Sequence, residues 1–180
     1  MSNSVPILSK ITTLYVPAED RVRISGLLND NSVAVIWITQ RFLNRLIPNM
    51  TKWLEKQTAD MPRADLMQSV QQDRAKARQK QRIEAGEDQP VAPENADLEW
   101  LALTVDIQQR SDQFRLIFKD IKGDEGYCAM LPLQPMLLRA WLNVLMAAFK
   151  QAGWHLDAWP EWMQEEAPPQ SAPVPKKALH

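Results

Sequence analysis

The stretch Val33–Lys56, VAVIWITQRFLNRLIPNMTKWLEK, constrains this chain more than any other. Residues 33–38 are β-branched and aromatic, which suits a strand. From Thr39 the apolar positions change to helical spacing, at 42, 43, 46, 47, 50, 53 and 54. Ninety-four residues on, the pattern returns: Gln40, Leu43, Arg45, Asn49 and Lys56 match Gln134, Leu137, Arg139, Asn143 and Lys150 without a gap. Five identities in 17 positions exceed the roughly one that residue frequencies near ~5–7 % would give, and so point to an internal duplication. On that reading residues 7–57 superpose on 98–151, with Arg45 over Arg139.

The flanking segments read as further strands. Residues 7–16 carry Thr and Tyr among apolar positions and end at Pro17. Residues 21–28 alternate, with Val22, Ile24 and Leu28 on one side and Arg21, Arg23 and Ser25 on the other. Gly26 within them suggests a bulge or a close backbone approach. Asn29–Ser32 is a turn, Thr39 an N-cap, and Pro48 predicts a kink in the helix that follows. In the second half Leu101, Leu103, Val105 and Ile107 alternate with polar or small residues, as do Phe114, Leu116 and Phe118. A turn at Lys122–Gly126 leads to a third strand, 127–133. Pro135 then opens a helix that Gly153 closes.

The fold predicted is α+β: a duplicated β-β-β-α unit whose antiparallel sheet carries two long helices on one face. The units fall at 1–60 and 98–153. Between them, 61–97 is an insertion made of a polar helix (63–85) and an acidic linker. A Trp-rich strap follows at 154–166, then a disordered tail at 167–180, with the whole forming a single domain.

Composition excludes more than it assigns. With 21 basic and 22 acidic residues, net charge is −1, so there is no overall pull towards nucleic acid or an anionic membrane. The longest apolar run, 136–149, is broken by Arg139 and Asn143, and the first ten residues lack signal-peptide features; a cytoplasmic protein without a membrane partner is expected. Cys128 is the only cysteine, so intramolecular disulfides and Cys/His zinc sites are excluded, and its place in an apolar strand reads as an inert thiol. The two histidines, His155 and His180, lie near a helix end and at the tail. The five glycines form no phosphate-binding loop, and Asp120, Asp124 and Glu125 share one hairpin turn. No catalytic residue, metal or cofactor is expected.

Three groups remain as candidate partner-binding residues. Trp154, Trp159 and Trp162 carry too much apolar surface to stay in water, so they either strap the domain or meet a partner. Arg45 and Asn49 on the first helix, and Arg139 and Asn143 on the second, mark outward lines on which an acidic partner would dock. Arg74, Arg78 and Arg82 share a face of the polar helix, while Lys76 and Lys80 lie nearly opposite. The function expected is a non-catalytic protein–protein interaction or adaptor protein, bound to another protein or to a second copy of itself. The alternative is a nucleic-acid-associated accessory protein using the 74–82 helix.

Overall fold

Alternation decides which face of each strand is buried, and register then aligns those faces. In the structure, a computed structural model that describes residues 4–164, β1 (Leu8–Val16), β2 (Arg21–Leu28) and β3 (Val33–Ile38) pair antiparallel in that order. Ile24 lies between Thr13 and Ile36, and Val22 between Tyr15 and Ile38. The four aliphatic members of these two rows are fully buried on one face. Gly26 is there because of a close approach: a Cβ would overlap the side chain of Leu8, opposite a slip in the β1 register.

A second sheet pairs β5 (Thr104–Gln109), β6 (Phe114–Lys119) and β7 (Cys128–Leu133), again antiparallel. Phe114, Leu116 and Phe118 of β6 point inward with Ala129 of β7. Helix α1 (Gln40–Thr58) starts at Thr39, whose Oγ1 accepts the Phe42 N–H at 3.2 Å, and it runs unbroken through Pro48. Helix α2 (Ala64–Glu84) is the polar insertion. Helix α3 (Pro135–Ala152) begins on a proline and stops at Gly153, whose φ of 69° a residue with a side chain rarely adopts. A short helix, α4 (Glu161–Gln164), closes the strap. The tail expected at 167–180 lies outside the described residues.

The α+β class holds, but the strands are arranged differently from the single antiparallel sheet expected. The strand predicted from Leu101 to Ile107 divides. Its first residue ends a separate strand that lies mostly ahead of it, β4 (Leu98–Leu101), which pairs parallel to β3 and makes that sheet mixed. A parallel partner is possible because some 60 residues of crossover separate the two strands. Asp97 fixes the register, its N–H donating to Val33 O and its Oδ2 accepting the Val33 N–H, both at 2.8 Å. The sheets meet at two seams. The Ala102 and Leu103 N–H groups donate to Trp37 O and Lys119 O, and Met130 N–H donates to Pro6 O beside a parallel bridge between Ile7 and Met130.

The rings of α1 pack on the second sheet, while α3 bridges both sheets, Trp141 also standing 6.5 Å from Phe118 of β6. Trp53 and Phe42 of α1 meet Phe114 and Phe118 of β6, with ring centroids 5.5 and 6.2 Å apart. Trp141 of α3 donates its indole N–H to Thr13 on β1 at 3.0 Å. One core results, shared by both sheets and both helices.

The gapless repeat at an offset of 94 is not the structural register. Leu43 is buried whereas Leu137 is 46 % exposed, and Arg45 is exposed whereas Arg139 is buried. The buried positions agree one residue later. Positions 43, 46, 47, 50, 51, 53 and 54 of α1 correspond to 138, 141, 142, 145, 146, 148 and 149 of α3, an offset of 95. Strands 33–38 and 128–133 and the caps Thr39 and Gln134 keep the same offset. In that register only Ala34/Ala129 and Leu43/Leu138 are identical over 33–58. The halves share element order and burial, while the five identities that suggested a duplication fall on different faces.

Candidate functional site

Ala102 N–H donates to Trp37 O near the end of β3, which sets the chain entering β5 beside the chain entering α1, and the Trp53 indole N–H on Arg110 O ties the far ends of helix and strand. Between these ties helix and strand run side by side in the same direction, over about 21 Å of helix and about 26 Å of strand. A cleft of about 510 Å³ opens between them, floored by Phe42, Leu46, Val105 and Ile107.

The strand side of this cleft is an unpaired edge, since β5 ends its sheet. Arg110 N–H donates to Gln113 O at 2.9 Å, so the alternate pairs Gln108–Arg115, Asp106–Ile117 and Thr104–Lys119 are the ones that exchange hydrogen bonds. The backbone groups of Val105, Ile107 and Gln109 therefore point away from β6, along the cleft. The helix side is cationic. Arg41, Arg45, Asn49, Lys52 and Lys56 are all exposed, and at 100° per residue they fall within an ~80° arc of α1. Among the described residues none of these four cations has a carboxylate partner; the ion pairs lie on α2, its following loop and Lys119.

Of the residues singled out from sequence, Arg45 and Asn49 line this cleft. Arg139 and Asn143 do not share its character. Arg139 is only 3 % exposed, because α2 lies across it. Its Nη2 donates to Gln68 Oε1 at 2.6 Å, and its Nη1 to Gln68 O and Gln72 Oε1 at 3.5 and 3.4 Å. Gln72 Nε2 donates in turn to Arg139 O and Asn143 Oδ1. The expected outward line on α3 is corrected accordingly: it is the seat of α2, whose glutamines face inward. Trp162 lies over the guanidinium at 5.6 Å and donates to Glu55. Burial without a carboxylate pushes the Arg139 pKa down to about 10.

Trp154 and Trp159 are buried and pack edge-on against Phe149 at 5.1 and 5.4 Å, with Trp154 donating to Asp20. Both belong to the core and offer no exposed rings to a partner, while Trp162 is half-buried. Arg74, Arg78 and Arg82 are exposed, with Arg82 held by Asp88 at 2.7 Å. Burial raises the Cys128 thiol, which keeps it protonated and unreactive near neutral pH. Asp120 accepts the Lys122 and Tyr127 N–H groups and so builds its own turn. Among the described residues no three His, Cys, Asp or Glu side chains group as metal ligands, and no helix is long and apolar enough to cross a membrane.

Arg41 and the β5 edge escaped the sequence reading. Arg41 stands four residues before Arg45 and was legible as the start of the same stripe. Which strand forms an edge depends on long-range pairing and was not. No protein-family model matches this chain, and comparison with curated proteins and with solved structures gives no match.

Proposed function

We propose that this is a non-catalytic interaction protein that takes an extended, acidic segment of another protein into the cleft between α1 and β5. The carrying observation is the free edge of β5 beside a helix stripe whose four cations, Arg41 and Arg45 in the cleft lining among them, have no carboxylate partner among the described residues. A strand added to that edge gains backbone hydrogen bonds, while the cationic stripe selects for carboxylates. A second copy is a poorer occupant, because pairing two β5 edges would bring two cationic helices together. A cytoplasmic location belongs to the same proposal and is supported by the single cysteine.

Fluorescence anisotropy with a labelled acidic peptide of high strand propensity tests this reading. Ile107→Pro removes an N–H that faces the open edge, a position where strands tolerate proline, and Gln109→Pro is the milder variant should the first unfold. Binding lost in the proline variant and in Arg45→Glu supports the proposal. Binding that ignores the proline, and is displaced by heterogeneous RNA, would transfer the cationic stripe to nucleic acid. Absence of binding at about 50 mM salt, where charge pairs are strongest, would overturn the proposal.

A further inference from the structure

We infer that the cleft reads an alternating acidic strand, with glutamates at positions i and i+2 and neutral residues between them. The inference rests on the proposed reading of the cleft and adds the pattern its occupant must carry.

Spacing comes first. Because α1 and β5 run side by side, about 21 Å of helix beside about 26 Å of strand, each ~6 Å along the helix accompanies about 7 Å along a strand. Arg41, Arg45 and Asn49 follow one another at intervals of about 6 Å. Alternate residues of a strand lie about 6.6–6.8 Å apart and point to the same face. Two consecutive inward-facing positions therefore meet Arg41 and Arg45, and a third meets Asn49. Among the described residues Asn49 bonds only its own helix, its Nδ2 donating to Arg45 O at 2.9 Å, so its amide oxygen is open to a donor.

Chain length comes second. The cleft floor is Phe42, Leu46, Val105 and Ile107, while the guanidinium groups stand at the rim. A glutamate lays its methylenes on that floor and still reaches the rim; an aspartate ends among apolar atoms.

The third element is rejection. Outward-facing residues of the added strand lie beside Thr104, Asp106 and Gln108, the outward side chains of β5. The Asp106 carboxylate side chain is 54 % exposed and already serves Lys119. An acidic residue in the intervening positions would face it, and like charges directly opposite are unfavourable. An unbroken acidic run is thus a worse ligand than an alternating one of equal charge, which is the reverse of what a purely electrostatic surface would prefer.

Two labelled peptides of identical composition separate these cases: Thr-Glu-Thr-Glu-Thr-Gln-Thr and Thr-Thr-Glu-Glu-Thr-Gln-Thr, acetylated and amidated, measured by anisotropy against the full chain. The alternating peptide should bind about tenfold more tightly, with Arg41→Gln and Arg45→Gln each removing most of that difference. Asp106→Asn should improve binding of the second peptide and leave the first unchanged. Equal binding of both peptides, abolished by Ile107→Pro, would overturn the pattern while leaving the cleft as the binding site. Failure of both to bind at about 50 mM salt would overturn the pattern together with the reading it rests on.

Discussion

Arg139 shows how one residue can be identified in sequence and misplaced in space. Its helix is otherwise apolar almost all round, so a lone arginine on it reads as the solvent side. What hides it is α2, which presents Gln68, Gln72 and Ala75 inward and leaves Leu66 and Val70 exposed. A helix with a polar inner face gives no periodic signal that it packs at all. The result is a buried cation satisfied by amides and an indole ring, with no anion on it among the described residues. Removing its best acceptor should therefore cost more than removing the charge as well. Gln68→Leu should destabilise by about 2–4 kcal/mol, since it strands the guanidinium and also takes away the donor to Leu54 O and Thr58 Oγ1. Adding Arg139→Met should recover at least about 1 kcal/mol of that loss in urea denaturation. A double variant no more stable than Gln68→Leu alone would show that the cation is not what makes the cluster costly.

At the scale of elements, the legible parts are those whose pattern is local. β2 and β3 alternate or run apolar between clear turn residues, and they begin and end where the sequence predicts. Thr39 and Gly153 bound their helices for reasons contained within one turn of chain. β4 was illegible because Leu98–Leu101 is four residues long, and its partner is defined by the Asp97–Val33 exchange from a distant segment. The strap was legible as a quantity, too much apolar surface for solvent, and the structure supplies its seat against Phe149, Tyr15 and α3. Ending the chain after Gly153 would remove Trp154, Trp159 and Met163 from the core. A loss of about 3 kcal/mol or more is expected from rings of this size. That should lower the melting temperature by roughly 6–12 °C for a chain of this length. A truncated protein that melts with the full-length one would mean that the strap only rests on the surface.

For the molecule as a whole, the way the two long helices cross between the halves decides how it unfolds: α1 lies on β6, and Trp141 of α3 touches both β6 and β1. If α1 covered its own strands and α3 covered the others, residues 1–60 and 98–153 would each hold a separable core. Instead the rings of α1 lie on β6 and the indole of Trp141 is bonded to β1. The seams at Trp37–Ala102 and Pro6–Met130 join the sheets on top of that. Neither half can lose its partner without exposing a fully buried face: Ile24 and Ile36 in one, Phe114 and Phe118 in the other. Small domains built on one shared core unfold in a single cooperative step as a rule, and the shared core here extends that expectation to this chain. Urea transitions followed by far-ultraviolet circular dichroism and by tryptophan fluorescence should therefore coincide. The fluorescence reports both halves, because Trp37 and Trp53 lie in the first and Trp100 and Trp141 in the second. A fragment ending at residue 97 should show neither a cooperative transition nor dispersed amide resonances alone. It should gain both when mixed with 98–180, whose β6 supplies the surface that α1 lacks. Two resolved transitions in the intact chain, or a 1–97 fragment that folds unaided, would show that the crossed helices are a packing detail rather than what binds the halves into one unit.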